Sequence, residues 1–373
     1  MKYFIIAGEQ SGDLHGSNLV KGLFDADKNA EIICWGGDLM EAAGAKLLVH
    51  YRDTAFMGFV TVLKNLGTIS RNLDLCRQQI REYNPDVVIF IDYPGFNLRI
   101  AAFAKQSGYR TFYYISPKFW AWNEGRVKKV KSFIDRMFII FPFETNFYRT
   151  HGIDTEYMGN PLVDETSKRI ALFPPKDEMK RALGFAGKPV IALLAGSRRH
   201  EIEYILPAML KVVHRFPGYR FVLAGVKNIS DDFYNKCIGG EDVLLIKEKT
   251  YEILHAAEAA LVASGTATLE AALHDTPQVV CYKGDFFSMI IAWMVIKVKH
   301  ISLVNLIMNE EVVKELVQYD LTEERLFSEL KAVLQGGDRR EKMLLKYEEL
   351  KHILGPAGAS SRIAAEMVRA LNQ

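Results

Sequence analysis

The chain has 373 residues, 49% of them hydrophobic and 25% charged, the profile of a globular protein and not of a disordered one. That length exceeds what one hydrophobic core usually serves, so two domains are expected. With 47 Lys and Arg against 45 Asp and Glu, the net charge of +2 argues against a nucleic-acid partner and leaves electrostatic function to local clusters.

The start, MKYFIIAGEQSGD, runs from a short apolar stretch straight into glycine and acids, unlike a signal peptide. Tyr3–Ala7 reads as a strand, followed by Gly8 and a helix from about Asp13. Ile32–Trp35 ends in Gly36-Gly37, Val87–Ile91 in Asp92, Thr111–Ile115 in Ser116-Pro117, and Arg136–Ile140 in Phe141-Pro142. Apolar strands that end in Gly, Pro or Asp and alternate with helices imply a parallel sheet covered on both faces.

The pattern pauses near Gly159-Asn160-Pro161 and resumes after Phe173-Pro174-Pro175. Val190–Leu194, Arg220–Ala224, Val243–Ile246, Ala259–Ala263 and Gln278–Tyr282 form the second cycle, and a mainly helical region begins near Leu321. The expected fold is α/β: two doubly wound, Rossmann-like parallel-sheet domains facing across a cleft. Their expected limits are 1–170 and 171–345, with a helical tail at 346–373.

The longest greasy stretch, Phe286 to Ile296, is interrupted by Ser288 and followed by Lys297 and Lys299. A membrane span needs roughly 18 apolar residues or more. Cys34, Cys76, Cys237 and Cys281 lie far apart without metal-ligand spacing, which fits a reducing compartment. A cytoplasmic protein is expected.

Ligands of such sheets bind beyond the carboxyl ends of the strands. Gly8-Glu9-Gln10-Ser11-Gly12-Asp13-Leu14-His15 follows the first strand, and Glu9, Asp13 and His15 add more polar groups than a turn needs. It is not a dinucleotide fingerprint, because GxGxxG is missing. In Gly196-Ser197-Arg198-Arg199, a glycine, a hydroxyl and paired arginines before a helix can hold a diphosphate without a metal. Ser264-Gly265-Thr266 makes another anion-ready helix start, and Glu270, one turn inside, can reach a ribose. Asp92, ending an apolar strand, is a candidate general base, with a satisfied turn aspartate as the rival reading.

Trp120 and Trp122 stand beside Arg126, Lys128, Lys129 and Lys131, a combination suited to a sugar platform or an interfacial anchor. Phe56, Met57 and Phe59 form a greasy segment whose default is core and whose alternative is acyl-chain contact.

In order along nearly the whole chain, AGEQSGDLHG, FMGFVTVL, PDVVIFIDYPGFN, YYISPKFWAWNEGRVKKV, FPFET, GNPLVDE, LLAGSRRHEI, ASGTATLEAAL, SLVNLI and VVKELVQ closely resemble the lipid-A-disaccharide synthase family. The resemblance implies a GT-B type nucleotide-sugar transferase that joins UDP-2,3-diacylglucosamine to 2,3-diacylglucosamine 1-phosphate by an inverting displacement, with neither metal nor other cofactor. It implies that Arg198 contacts the diphosphate, Glu270 the ribose, and that Asn305, Glu315 and Gln318 complete the nucleotide pocket. It further implies peripheral attachment to the inner face of the bacterial inner membrane, and a tail that packs on the first domain or is exchanged in a homodimer.

Three departures stand out. Gly95 replaces an acid often present in the family, which shifts the expected base to Asp92, with Asp13 and His15 as rivals. Thr61 replaces another acid, and Asn160 stands where the family often has His. The rival functions are a UDP-N-acetylglucosamine 2-epimerase and a non-catalytic binder of lipid or nucleotide sugar.

Overall fold

Strand β1 (Lys2–Ala7) has two covered faces: Tyr3, Ile5 and Ala7 pack on one side of the sheet, Phe4 and Ile6 on the other. Strand β4 (Val87–Ile91) repeats the arrangement, with Val87, Ile89 and Ile91 opposite Val88 and Phe90. Such strands turn no face to water, which is why they are written as unbroken apolar runs. Joined to them are β2 (Glu31–Gly36), β3 (Lys46–His50), β5 (Arg110–Tyr114), β6 (Arg136–Ile139) and β7 (Glu156–Tyr157), in the order β3-β2-β1-β4-β5-β6-β7. Every pairing is parallel.

The computed structural model describes residues 1–54, 66–122, 124–185, 187–284 and 299–373. These divide into two units, Met1–Asp164 with Gly355–Gln373, and Glu165–Leu354. The second unit is built on β8 (Val190–Leu194), β9 (Arg220–Gly225), β10 (Val243–Lys247), β11 (Ala259–Ala263), β12 (Gln278–Tyr282) and β13 (Lys314–Val317). Its order is β10-β9-β8-β11-β12-β13, again all parallel. In each sheet the order reverses beside the first strand, the switch point where doubly wound folds place their ligands.

The strands β3, β7 and β13 do not stand out as apolar runs in the sequence. Each lies at a sheet edge, is only partly buried and has mixed composition, so it lacks the signature of a doubly covered strand.

Helix Ala359–Leu371 returns to the first unit and lies against helix Gln10–Ala26, where Ile363, Ala364 and Met367 join the core of Leu19, Val20 and Leu23. The crossing is close. A Cβ on Gly22 would stand 2.8 Å from Ala364 Cβ and 3.2 Å from the Ser360 carbonyl oxygen. Asp164 holds the start of this helix, its carboxylate accepting from the backbone N–H groups of Gly358, Ala359 and Ser360 at 2.7–2.9 Å. Helix Arg340–Leu354, by contrast, belongs to the second unit.

Candidate active site

Left-handed backbone collects at the carboxyl ends of the strands: Asp92 (φ 44°) and Tyr93 (φ 48°) after β4, Ile115 (φ 63°) after β5, Gly196 (φ 114°) after β8, Gly265 (φ 148°) after β11 and Gln318 (φ 53°) after β13. For residues with a Cβ such conformations cost free energy and persist only where the surroundings hold them.

At Asp92 the surroundings are explicit. Its carbonyl oxygen accepts from the Tyr113 hydroxyl at 2.5 Å and from Asn97 Nδ2 at 2.8 Å, while its N–H donates to the Tyr114 carbonyl at 3.2 Å. The next residue, Tyr93, donates from its hydroxyl to the Thr54 carbonyl at 3.0 Å, and its ring fills the space a Cβ on Gly8 would need. Burial, and after it the charge of Glu9, pushes the Asp92 carboxyl up to about 6, with Lys118 acting in the opposite direction. Glu9 and Lys118 come from the ends of β1 and β5, the neighbours of β4.

Asp13 is engaged elsewhere. Its buried carboxylate accepts from the N–H groups of Gly37 (2.8 Å), Leu39 (3.1 Å) and Met40 (3.0 Å), capping the short helix Asp38–Ala42. His15 is half-buried within helix Gln10–Ala26. Gly95 is exposed in the first turn of helix Pro94–Gln106, with no heavy atom within 4 Å of the position a Cβ would take.

A further acid, Glu144, was not singled out from the sequence. It is 1% exposed, and Ser116 Oγ (2.5 Å), Trp120 Nε1 (3.0 Å) and the Phe141 N–H (3.1 Å) all donate to it. Burial pushes it up to about 7. It fixes the turn after β5 and the N–H edge of Trp120, whose ring meets Phe143 in a T-shaped contact at 4.9 Å. Arg126, Lys128, Lys129 and Lys131 are exposed beyond it. Trp122 closes the short helix Phe119–Trp122, while Phe56, Met57, Phe59, Thr61 and the stretch 286–296 lie outside the described residues.

In the second unit, Gly196 lets the chain turn over Glu201, whose Oε2 would lie 2.7 Å from an added Cβ. That carboxylate accepts from the N–H groups of Ser197 (3.1 Å) and Arg198 (3.3 Å) and pairs with the Arg198 guanidinium at 3.1 Å. Both arginines are exposed, but Arg198 pairs with Glu201 while Arg199 lies over the Phe233 ring at 4.2 Å.

On the other side of this unit's strand ends, Ser264, Asn305 and Glu315 are joined through the Ile301–Ser302 backbone. Ser264 Oγ donates to the Ile301 carbonyl (2.8 Å), and Thr266, exposed, opens helix Thr266–Leu273 behind Gly265. Glu315 accepts from the N–H groups of Ile301 (3.0 Å) and Ser302 (2.9 Å) and from Asn305 Nδ2 (2.9 Å). Asn305, fully buried, also binds the backbone of Val312 and Val313. It therefore sets the frame of the site and the posture of Glu315. Gln318 Nε2 donates to the Gly284 carbonyl at 3.1 Å, and Glu270 accepts from the Tyr251 hydroxyl at 3.2 Å. Among the described residues no group of three His, Cys, Asp or Glu is placed to hold a metal ion, and no helix is long and apolar enough to cross a membrane.

Two doubly wound parallel-sheet units define the GT-B type of fold. Solved structures share the fold across almost the whole chain: an S. aureus MnaA–UDP complex (TM-score 0.71, 15% identity, covering 100% of this chain and 97% of that one) and a Neisseria meningitidis UDP-GlcNAc 2-epimerase bound to UDP-GlcNAc (0.67, 14%, 99% and 100%). The chain belongs to the lipid-A-disaccharide synthetase family, which matches residues 3–367. It is 35% identical to a lipid-A-disaccharide synthase of Geobacter metallireducens, over 100% of this chain and 98% of the relative. Against that of Syntrophus aciditrophicus the identity is 37%, over 96% and 95%.

Proposed function

We propose that this enzyme, a glycosyltransferase of lipid A disaccharide synthesis, joins UDP-2,3-diacylglucosamine to 2,3-diacylglucosamine 1-phosphate and releases UDP. The observation that carries the mechanism is the held, strained Asp92 with its raised carboxyl beside Glu9. Ionised Asp92 takes the proton of the acceptor's 6-hydroxyl as that oxygen attacks the anomeric carbon from the face opposite the departing UDP. The bond to the diphosphate breaks, the β-1,6 linkage forms with inversion, and UDP carries away the negative charge. The exposed Arg198 meets that charge together with the N–H groups at the start of helix Thr266–Leu273. Asp13 is the weaker base, because three backbone donors already occupy its carboxylate.

In this reading the first unit takes the acylated sugars and the second takes UDP through Ser264, Glu270, Glu315 and Gln318. Trp120 and the basic helix Val127–Phe133 suit an anionic lipid surface, so the enzyme works at the inner face of the inner membrane. The test incubates the protein with both lipids in EDTA and follows UDP release and lipid mass. A disaccharide monophosphate formed only when both lipids are present is the expected result. Interconversion of UDP-N-acetylglucosamine without an acceptor would replace this reading with an epimerase; UDP binding without any turnover would replace it with a binding protein.

A further inference from the structure

Glu270 is held from outside its own helix. Its Oε1 accepts from the hydroxyl of Tyr251, on helix Thr250–Ala256, at 3.2 Å. Among the described residues its other carboxylate oxygen has no hydrogen-bond partner. Tyr251 is in turn packed by two side chains. The Arg169 guanidinium lies 4.9 Å from its ring centroid and is tethered by Glu165 at 2.8 Å. The His274 ring lies 5.0 Å away, tilted by 30°.

His274 also reaches the backbone of Glu270, with Nδ1 2.8 Å from its carbonyl oxygen. A carbonyl only accepts, so the imidazole carries its proton on Nδ1. Its Nε2 is then a buried lone pair without a partner, and burial pushes the ring down to about 4, keeping it neutral. A neutral ring can sit against the phenol where a second cation beside Arg169 would repel. The result is a grip on Glu270 at both ends, His274 on its carbonyl and Tyr251 on its carboxylate. Burial raises the Glu270 carboxyl, while the Tyr251 hydroxyl and the Arg169 charge favour the ionised form that accepts hydrogen bonds.

We infer that Tyr251, braced by Arg169 and His274, is a positioning residue that presents the free oxygen of Glu270 to the hydroxyls of a nucleotide's ribose. This rests on the assignment of Glu270 to the ribose. A tyrosine that only filled the core would not need its hydroxyl on that carboxylate, and the phenylalanine variant separates the two roles because it keeps the ring.

The experiment measures the affinity of the full chain for UDP and for 2′,3′-dideoxy-UDP. Tyr251→Phe is expected to weaken UDP about tenfold, the worth of a hydrogen bond to a charged group, and to leave the dideoxy nucleotide within about twofold. Arg169→Met should move UDP in the same direction by a smaller factor, and serves as the second variant if Tyr251→Phe does not fold. Equal loss for both nucleotides, or no loss for UDP, overturns the positioning role. Glu270→Gln separates the two layers: if it leaves the preference for UDP over the dideoxy nucleotide intact, the ribose assignment itself fails, and the positioning role with it.

Discussion

The hydroxyl of Tyr113 donates to the carbonyl oxygen of Asp92 at 2.5 Å, so a buried phenol on β5 fixes the backbone of the proposed base at the end of β4. Asn97 holds the same oxygen from the following helix. Tyr113→Phe should leave the Asp92 carboxylate in place but loosen its left-handed geometry. We expect kcat to fall about tenfold with KM little changed, measured as UDP release at saturating lipids.

Asp92 itself should govern the acid limb of the pH profile. A base works only when ionised, so kcat/KM should fall as pH drops through about 6. Removing the neighbouring negative charge with Glu9→Gln lowers the Asp92 pKa and moves that limb to lower pH. Removing the positive charge with Lys118→Met moves it upward. Asp92→Asn should cost about a hundredfold or more in kcat, and a pH profile that ignores both neighbours would reject the assignment.

At the turn proposed to hold the diphosphate, Arg198→Ala should lower turnover by on the order of a hundredfold. Glu201→Gln should do the opposite to nucleotide affinity. Its carboxylate occupies the N–H groups that would face phosphate, and neutralising it should tighten UDP by roughly threefold to tenfold in calorimetry. Weaker UDP binding in that variant would mean that Glu201 serves chiefly to aim Arg198.

Asp164→Ala leaves three N–H groups at the start of helix Ala359–Leu371 without their carboxylate. A loss of about 2 kcal/mol in denaturant unfolding is expected. Gly22→Leu should cost about 1–3 kcal/mol by forcing that helix away from Gln10–Ala26.

The central strands were legible because burial on both faces writes them as apolar runs, and the turns after β4, β8 and β11 because glycine, aspartate and arginine do not belong in a core. What escaped the sequence depends on distant partners. Asp13 looked like a site acid, yet the amides it caps lie 24 to 27 residues away. Glu144 lies in FPFET, where nothing local says that a helix-start acid is buried against Ser116 and Trp120. Tyr251 reaches Glu270 from another helix, and no periodicity encodes that contact. The roles of Asn305 and Glu315 were expected at a ligand; their hydrogen bonds to backbone also make them part of the frame.

The return of helix Ala359–Leu371 to the first unit sets an order of assembly. A ribosome delivers Leu19, Leu23 and their sheet first, then all of Glu165–Leu354, and only afterwards the Ile363 and Met367 that cover them. The first sheet must therefore wait, one apolar face covered only in part by helix Gln10–Ala26, through the synthesis of about 190 further residues, on the order of ten to forty seconds at ribosomal elongation rates. Nascent chains arrested before Ala359 should accordingly be the form that chaperones hold and that aggregates.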